Sequence, residues 1–313
     1  MRKLRFDLNV QSNALLCPNP SEFYSKAYIT EDVVNNYRVV PGVKSETKVA
    51  NVVFKDLLAA SNCNFTAAPT TMSAVDVSVC PLSAMVEVCR YDLESSFVAL
   101  QMARGAAGSW DVPTFLNYYW DEMSKEINEE INLIRWQGNA PGGSGILGLC
   151  DGYTKIISAS NAAGGATAAV SASVSGSVTT ANVLTKLSTM YSELPAAVKA
   201  DKTNLRFYLA SNFAAAYEIV AATGNTLTYT TLPLQMTYLG IPVVVCAGMA
   251  NNYGVLTSKN NLIYAFDGEG QEKALKAINL EDTVAEPVLR TRAEIKIGFQ
   301  IVNGNEILFH KAS

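Results

Sequence analysis

Residues 113–147, PTFLNYYWDEMSKEINEEINLIRWQGNAPGGSGIL, carry the decisive pattern. Leu116, Tyr119, Trp120, Met123, Ile127, Ile131 and Ile134 recur at three- and four-residue steps, which lays one apolar stripe along a helix from about Pro113 to Trp136. Pro113 suits a first helical turn, Asp111 stands where a cap belongs, and Gly138 stands where helices commonly stop. About 24 residues at 1.5 Å each make a rod of roughly 36 Å, more natural as a strut than as part of a small compact core. Its other face carries Glu122, Glu126, Glu129 and Glu130, which read as a solvated helix face rather than an acid–base pair. In the glycine-rich turn that follows, Gly138 and Gly145 are the structural positions, with Gly138 expected in the left-handed conformation.

Upstream, residues 1–37 hold no sustained period and are broken by Pro18 and Pro20, as expected of an extended arm. From Val43 the period becomes two, and Lys44, Glu46 and Lys48 form one charged face of a strand. Val75, Val77 and Val79 supply the return strand of a long two-stranded excursion, and Met85, Val86 and Val88 a third strand. Downstream, no charged residue occurs between Lys155 and Lys186, a low-complexity stretch read as a surface loop. A helix at about Thr180–Glu193, a strand at Leu205–Leu209, a helix at Ser211–Ala222 and a buried strand at Gly240–Val245 follow. Ile295, Ile297, Phe299 and Ile301 alternate, and Asn303-Gly304 signals a hairpin returning through Ile307 and Phe309. The class is α+β.

Composition narrows the chemistry. With 49% hydrophobic residues and 17% charged, the 313-residue chain can bury a sizeable core. A formal net charge of −4 lacks the basic excess of a phosphate binder, so any contact with DNA is expected to be weak and non-specific. Cys17, Cys63, Cys80, Cys89, Cys150 and Cys246 form no CxxC pair and read as reduced, mostly buried thiols; His310, the single histidine, reads as a solvated tail residue. No metal site is expected from this set. Gly143 to Gly148 spells GxGxxG, but it follows a helix, and no acidic residue lies between Asp151 and Glu193 to hold a ribose. Ser144 misses the GxSxG elbow because position 146 is Ile. The expectation is a protein without enzymatic activity: no catalytic residue, no cofactor. Asp7, Asn9 and Gln11 interrupt any leader-like run, and no stretch reaches the ~20 apolar residues of a membrane span, so a soluble, cytoplasmically made chain with no membrane partner is expected.

The element order and four local segments resemble the Hong Kong 97-type capsid fold of tailed-bacteriophage major capsid proteins and encapsulins. Tyr91-Asp92-Leu93-Glu94-Ser95 is similar to the segment before that family's spine helix. Trp136 to Leu147 resembles its turn into the axial domain, with Asn139 in place of the usual Asp. Phe207-Tyr208-Leu209-Ala210-Ser211-Asn212 and Leu239-Gly240-Ile241-Pro242-Val243-Val244 resemble axial-domain segments, and Arg290 to Phe299 the final strand. The likeness covers most of residues 38–313. It implies an N-terminal arm (1–37), an extended β-hairpin loop (38–80), a peripheral domain with a long spine helix (81–145), a mixed α/β axial domain (146–275) and returning peripheral strands (276–313).

What the resemblance implies for function is a major capsid protein that assembles as hexamers and pentamers into an icosahedral or prolate shell around phage double-stranded DNA. Its partners would be copies of itself, a portal and a separate scaffolding protein. The family's scaffolding segment does not stand before Pro41, which fits either a separate scaffolding protein, the favoured expectation, or a chain already processed. It would be assembled in the cytoplasm of the infected bacterium and end in the virion capsid. An arm and loop of about 80 residues cannot be buried on their own core, which independently favours burial by neighbours. The assembly-contact candidates are Lys44, Glu46 and Lys48 against Glu122, Glu126, Glu129 and Glu130. The alternatives are an encapsulin-type compartment shell and, more remotely, a secreted β-rich adhesin suggested by the Ser, Thr, Ala and Asn content.

Overall fold

A computed structural model describes residues 14–15, 20–27, 29–54, 70–89, 112–162, 175–223, 236–267, 275–280, 286 and 288–311. The Asp111 cap, the Tyr91–Ser95 segment, most of the small-residue stretch (163–174) and the first 13 residues of the arm lie outside them. In chain order the elements begin β1 (Ala14–Leu15), α1 (Pro20–Ala27), α2 (Glu31–Asn36), β2 (Arg38–Pro41), β3 (Glu46–Phe54), β4 (Thr70–Ser78), β5 (Cys80–Cys89) and α3 (Val112–Gln137). They continue α4 (Tyr153–Ala162), α5 (Val183–Glu193), α6 (Ala196–Ala200), β6 (Leu205–Ala210), α7 (Ser211–Thr223), β7 (Thr237–Tyr238) and β8 (Ile241–Cys246). The last are β9 (Gly254–Ser258), β10 (Leu262–Phe266), β11 (Lys276–Asn279), β12 (Val288–Ile301) and β13 (Leu308–His310).

The chain forms two compact units, each drawn from three stretches: 1–28, 81–127 and 269–295 in the first, and 29–80, 128–268 and 296–313 in the second. In the first unit β11 runs antiparallel to both β1 and β12, with Ala14 opposite Ile278 and Lys276 opposite Arg292. β12 buries Leu289, Thr291, Ala293 and Ile295 and exposes Arg290, Arg292 and Glu294, the period of a half-buried strand. Where it is described, the arm is extended only at β1 and is otherwise mostly helical. Pro20 fills a first helical position, where its missing N–H costs nothing, and Phe23, Tyr24 and Ala27 bury one side of α1, with Phe23 edge-on to Trp120 at 5.5 Å. An eight-residue helix is too short to announce itself by period.

The second unit holds a five-stranded sheet in the order β13-β9-β6-β8-β7, with β6 and β8 parallel. Phe213, Ala214, Tyr217 and Ala221 are the buried side of α7; Val183, Leu187 and Met190 that of α5. β10 pairs parallel with β2 and antiparallel with the second half of β12. Trp136, Tyr153 and Tyr208 meet in its core, ring to ring at 5.3 and 5.8 Å from Trp136, and Tyr153 stacks on Tyr37.

Three further expectations are corrected here. The small-residue stretch opens with a helix, α4, because Tyr153 and Ile157, one turn apart, both go fully into the core. Asn303-Gly304 makes no hairpin, since β13 pairs with β9 rather than β12. The Asn261 amide accepts the Asn303 N–H (2.7 Å) and donates to its carbonyl (2.8 Å), while Asn303 caps a 3-10 turn at Gly304–Glu306. The positive φ that a two-residue hairpin turn demands is absent: φ of Asn303 is −136°. Finally, Cys80 and Cys150 are not thiols but a disulfide, joined across 70 residues with Cα atoms 5.9 Å apart. Cys246 is a free thiol whose burial, the largest effect on it, pushes its pKa up to about 12.

Candidate assembly surface

β3 and β4 form a two-stranded antiparallel ribbon, in register from Glu46 opposite Ser78 to Phe54 opposite Thr70, and are joined to no third strand among the described residues. Nine residues at ~3.4 Å each make it about 30 Å long. Lys48 lies directly across from Asp76, 3.4 Å away, with the two side chains 71% and 56% exposed, so this pair contributes little. Glu46 and Lys44 are exposed at the same end, and the Lys44 carbonyl accepts from the Lys296 ammonium at 3.3 Å. The foot of the ribbon is held from below. Val43 and Val77 are buried against Ile263 and Ala265, the Val43 N–H donates to Phe266 O (3.2 Å), and the Val79 N–H donates to Ser45 O (2.9 Å). Ser78 O approaches Gly298 so closely that a β-carbon there would sit 2.0 Å away.

From Trp120 onward α3 bears out the stripe: Trp120, Met123, Ile127, Ile131 and Ile134 are buried, Tyr119 is half-buried, and the Leu116 side chain lies outside the described residues. Of the acidic candidates, Glu122 pairs with Lys125 at 2.6 Å, Glu126 and Glu129 are exposed, and Glu130 is half-buried. The last turn goes further into the protein than the stripe suggests. Arg135 is 2% exposed, with its guanidinium 5.0 Å from the Tyr37 ring and 5.3 Å from the Tyr264 ring, and its nearest carboxylate, Asp32, 4.0 Å away. Burial is the largest effect on Tyr264 and raises its phenol to about 12. The missed signal was spacing: residue 135 is four beyond Ile131.

Gly138 ends α3, but not in the left-handed conformation expected; the described glycines with positive φ are Gly42, Gly145, Gly176 and Gly240. Glycine is required at 138 by close approach instead, because a β-carbon would lie 2.4 Å from Cys150 O and 2.6 Å from Ile134 O. The Gly152 N–H donates to Gly138 O (2.9 Å), so the chain folds straight back onto the helix end. Gly145, with φ +59°, is the position that needs a residue without a β-carbon for conformational reasons. The Asp151 carboxylate stitches the turn, accepting from the Ala140 N–H and Lys155, each at 2.7 Å.

His310 is not a solvated tail residue; it is fully buried on β13, edge-on to Phe213. Nδ1 lies 2.7 Å from Asn252 O and Nε2 3.0 Å from the Lys186 ammonium, so Nδ1–H donates and Nε2 accepts: the neutral ring fits and a charged one would face a cation. Burial chiefly, with Lys186 adding to it, lowers the pKa below 6.5. Above the unfolded value the folded state keeps this contribution in full. As pH falls below about 6.5 the unfolded chain binds the proton first and stability declines. Between pH 7 and 5, thermal unfolding of the wild type is expected to fall more steeply than that of His310→Asn; parallel curves would contradict the assignment.

No protein-family model matches the sequence, and no curated protein matches it either. Solved structures do match in fold. The capsid of an empty GTA particle aligns over 92% of this chain and 91% of its own, at 13% identity and a TM-score of 0.55. The satellite phage P4 procapsid aligns over 93% and 98%, at 7% identity and 0.57. A virus-like particle from Pyrococcus furiosus aligns over 93% and 96%, at 10% identity and 0.50. The chain therefore has the capsid fold of these particles, the Hong Kong 97-type α+β architecture.

Proposed function

We propose that this protein is the major capsid protein of a tailed bacteriophage, a structural subunit without catalytic function. Copies of it would form hexamers and pentamers that close into a shell around double-stranded DNA. The observation that carries the reading is the ribbon: a lone two-stranded sheet is marginal in water, and a capsid fold offers a neighbouring copy to lie on. In this reading residues 1–37 are the arm, 38–80 the extended loop, 81–145 and 276–313 the peripheral domain, and 146–275 the axial domain. A portal and a separate scaffolding protein are its further partners, DNA touches it weakly, and assembly takes place in the bacterial cytoplasm. Likeness to a Pyrococcus furiosus particle keeps a cellular compartment shell as the second reading; closed particles that co-purify with a cargo protein rather than with phage DNA would favour it.

The ribbon's exposed charges give the test. Lys44, Glu46 and Lys48 meet complementary charges on a neighbour, the two lysines against the acidic face of its α3, formed by Glu122, Glu126, Glu129 and Glu130. Each exposed pair contributes only a few tenths to about 1 kcal/mol, but a shell repeats it in every subunit, so assembly weakens steeply with salt. Reversing Lys44 and Lys48 to Glu is expected to leave circular dichroism unchanged and to raise the concentration needed for particles seen by negative-stain microscopy. Assembly at the wild-type threshold in low salt would make these charges mere solvent decoration.

A further inference from the structure

Cys80 follows the ribbon's second strand by two residues, and Cys150 follows the glycine turn at the end of α3. Their disulfide therefore ties the foot of the ribbon to that turn. The two sulfurs differ in access: Cys80 is partly exposed, whereas Cys150 is 3% exposed, with Sγ 3.9 Å from Ile297 O. The foot has other attachments, the Val43 and Val79 backbone bonds and the close Gly298 contact, so the fold there does not depend on the bond alone.

We infer that Cys80–Cys150 is a redox-operated latch on the ribbon foot, entered through Cys80. Closing proceeds by exchange with a small-molecule disulfide of the glutathione class. The Cys80 thiolate attacks one sulfur of that disulfide, breaking its S–S bond, expelling one thiolate and forming a mixed disulfide. The Cys150 thiolate then attacks Cys80 Sγ, forming the internal bond and expelling the second thiolate. The protein loses two electrons and two protons, and the small disulfide leaves as two thiols. Opening is the reverse, with an external thiolate attacking the accessible Cys80 sulfur and releasing Cys150. The order follows from access, which governs which sulfur an external reagent reaches. Resting on the shell reading above, the latch lets a reduced subunit keep a pliable ribbon while lattice contacts form and stiffens it on oxidation; the chemistry itself stands without that reading.

Two measurements on the full-length chain test it. Under native conditions with oxidised glutathione, Cys150→Ser is expected to acquire a glutathione on Cys80 by peptide mapping, while Cys80→Ser acquires at least tenfold less on Cys150. In wild type treated with dithiothreitol, the Val43 and Val79 amides are expected to exchange hydrogen at least tenfold faster than in the oxidised protein, with β6 amides unchanged. Equal labelling of the two cysteines would overturn entry through Cys80. Unchanged exchange at the foot, or a rise that includes β6, would overturn the latch in favour of a passive or global staple.

Discussion

Gly248→Ala is expected to leave almost no folded protein. Gly248 lies in the turn after β8 with its carbonyl accepting from the Gln137 amide at 2.7 Å. A β-carbon there would sit 1.9 Å from Asn132 O, 2.3 Å from Asn132 C and 2.7 Å from Leu133 N. These are backbone atoms in the last two turns of α3, so no side-chain rotation relieves the clash; helix and turn must separate. The cost is expected to exceed about 5 kcal/mol, beyond ordinary overpacking effects and as large as the whole stability of a marginal domain. Thermal unfolding followed by circular dichroism is the measurement, with exposed Ala247→Ser as the control that should match wild type. A Gly248→Ala protein melting with the wild type would mean that α3 does not approach this turn.

The second large effect is expected from Trp136→Ala. Trp136 is 1% exposed and packs against Tyr153 from α4 and Tyr208 from β6. Truncation removes the ring that joins three elements and leaves a cavity lined by aromatic faces with nothing to collapse onto them. A loss of about 3–5 kcal/mol follows from buried Trp-to-Ala changes, with Trp136→Phe recovering more than half. Denaturant unfolding gives the free energy, and near-ultraviolet circular dichroism should lose part of its aromatic signal in Ala but less in Phe. Equal stability of both variants would show that the ring is not a joint.

How far these features could be read from sequence depends on whether they are periodic. α3 runs from Val112 to Gln137 against an expected Pro113 to Trp136, because a stripe repeated over about five turns leaves little freedom. The ribbon and the alternating end of β12 were visible for the same reason, a period of two. What stayed hidden depends on single long-range partners. Nothing near Asn303 tells that Asn261, 42 residues away, claims both its backbone groups. Nothing near His310 announces Lys186, 124 residues away, and nothing near Cys80 announces Cys150. Gly138 stood correctly at the helix end, yet its role is set by Cys150 O, which a local turn rule cannot see. Of the candidate surface, the charged ribbon and the acidic helix face were legible as faces; the buried Arg135 between two tyrosine rings was not.

That each unit is drawn from three separated stretches has a consequence for the timing of synthesis. β9 leaves the ribosome long before β13, the strand that covers its free edge, and β10 and β11 both wait for β12. At 5–20 residues per second the roughly 100 residues from β6 to β13 take about 5–20 s to make. For most of that interval the first unit still lacks residues up to 295, and throughout it the second lacks β13, so unpaired strand edges face a crowded solution, where they invite wrong partners. The sheet of the second unit is thus incomplete until translation has passed residue 310, and the yield of folded chain in the cell is expected to depend on whatever shields it during those seconds.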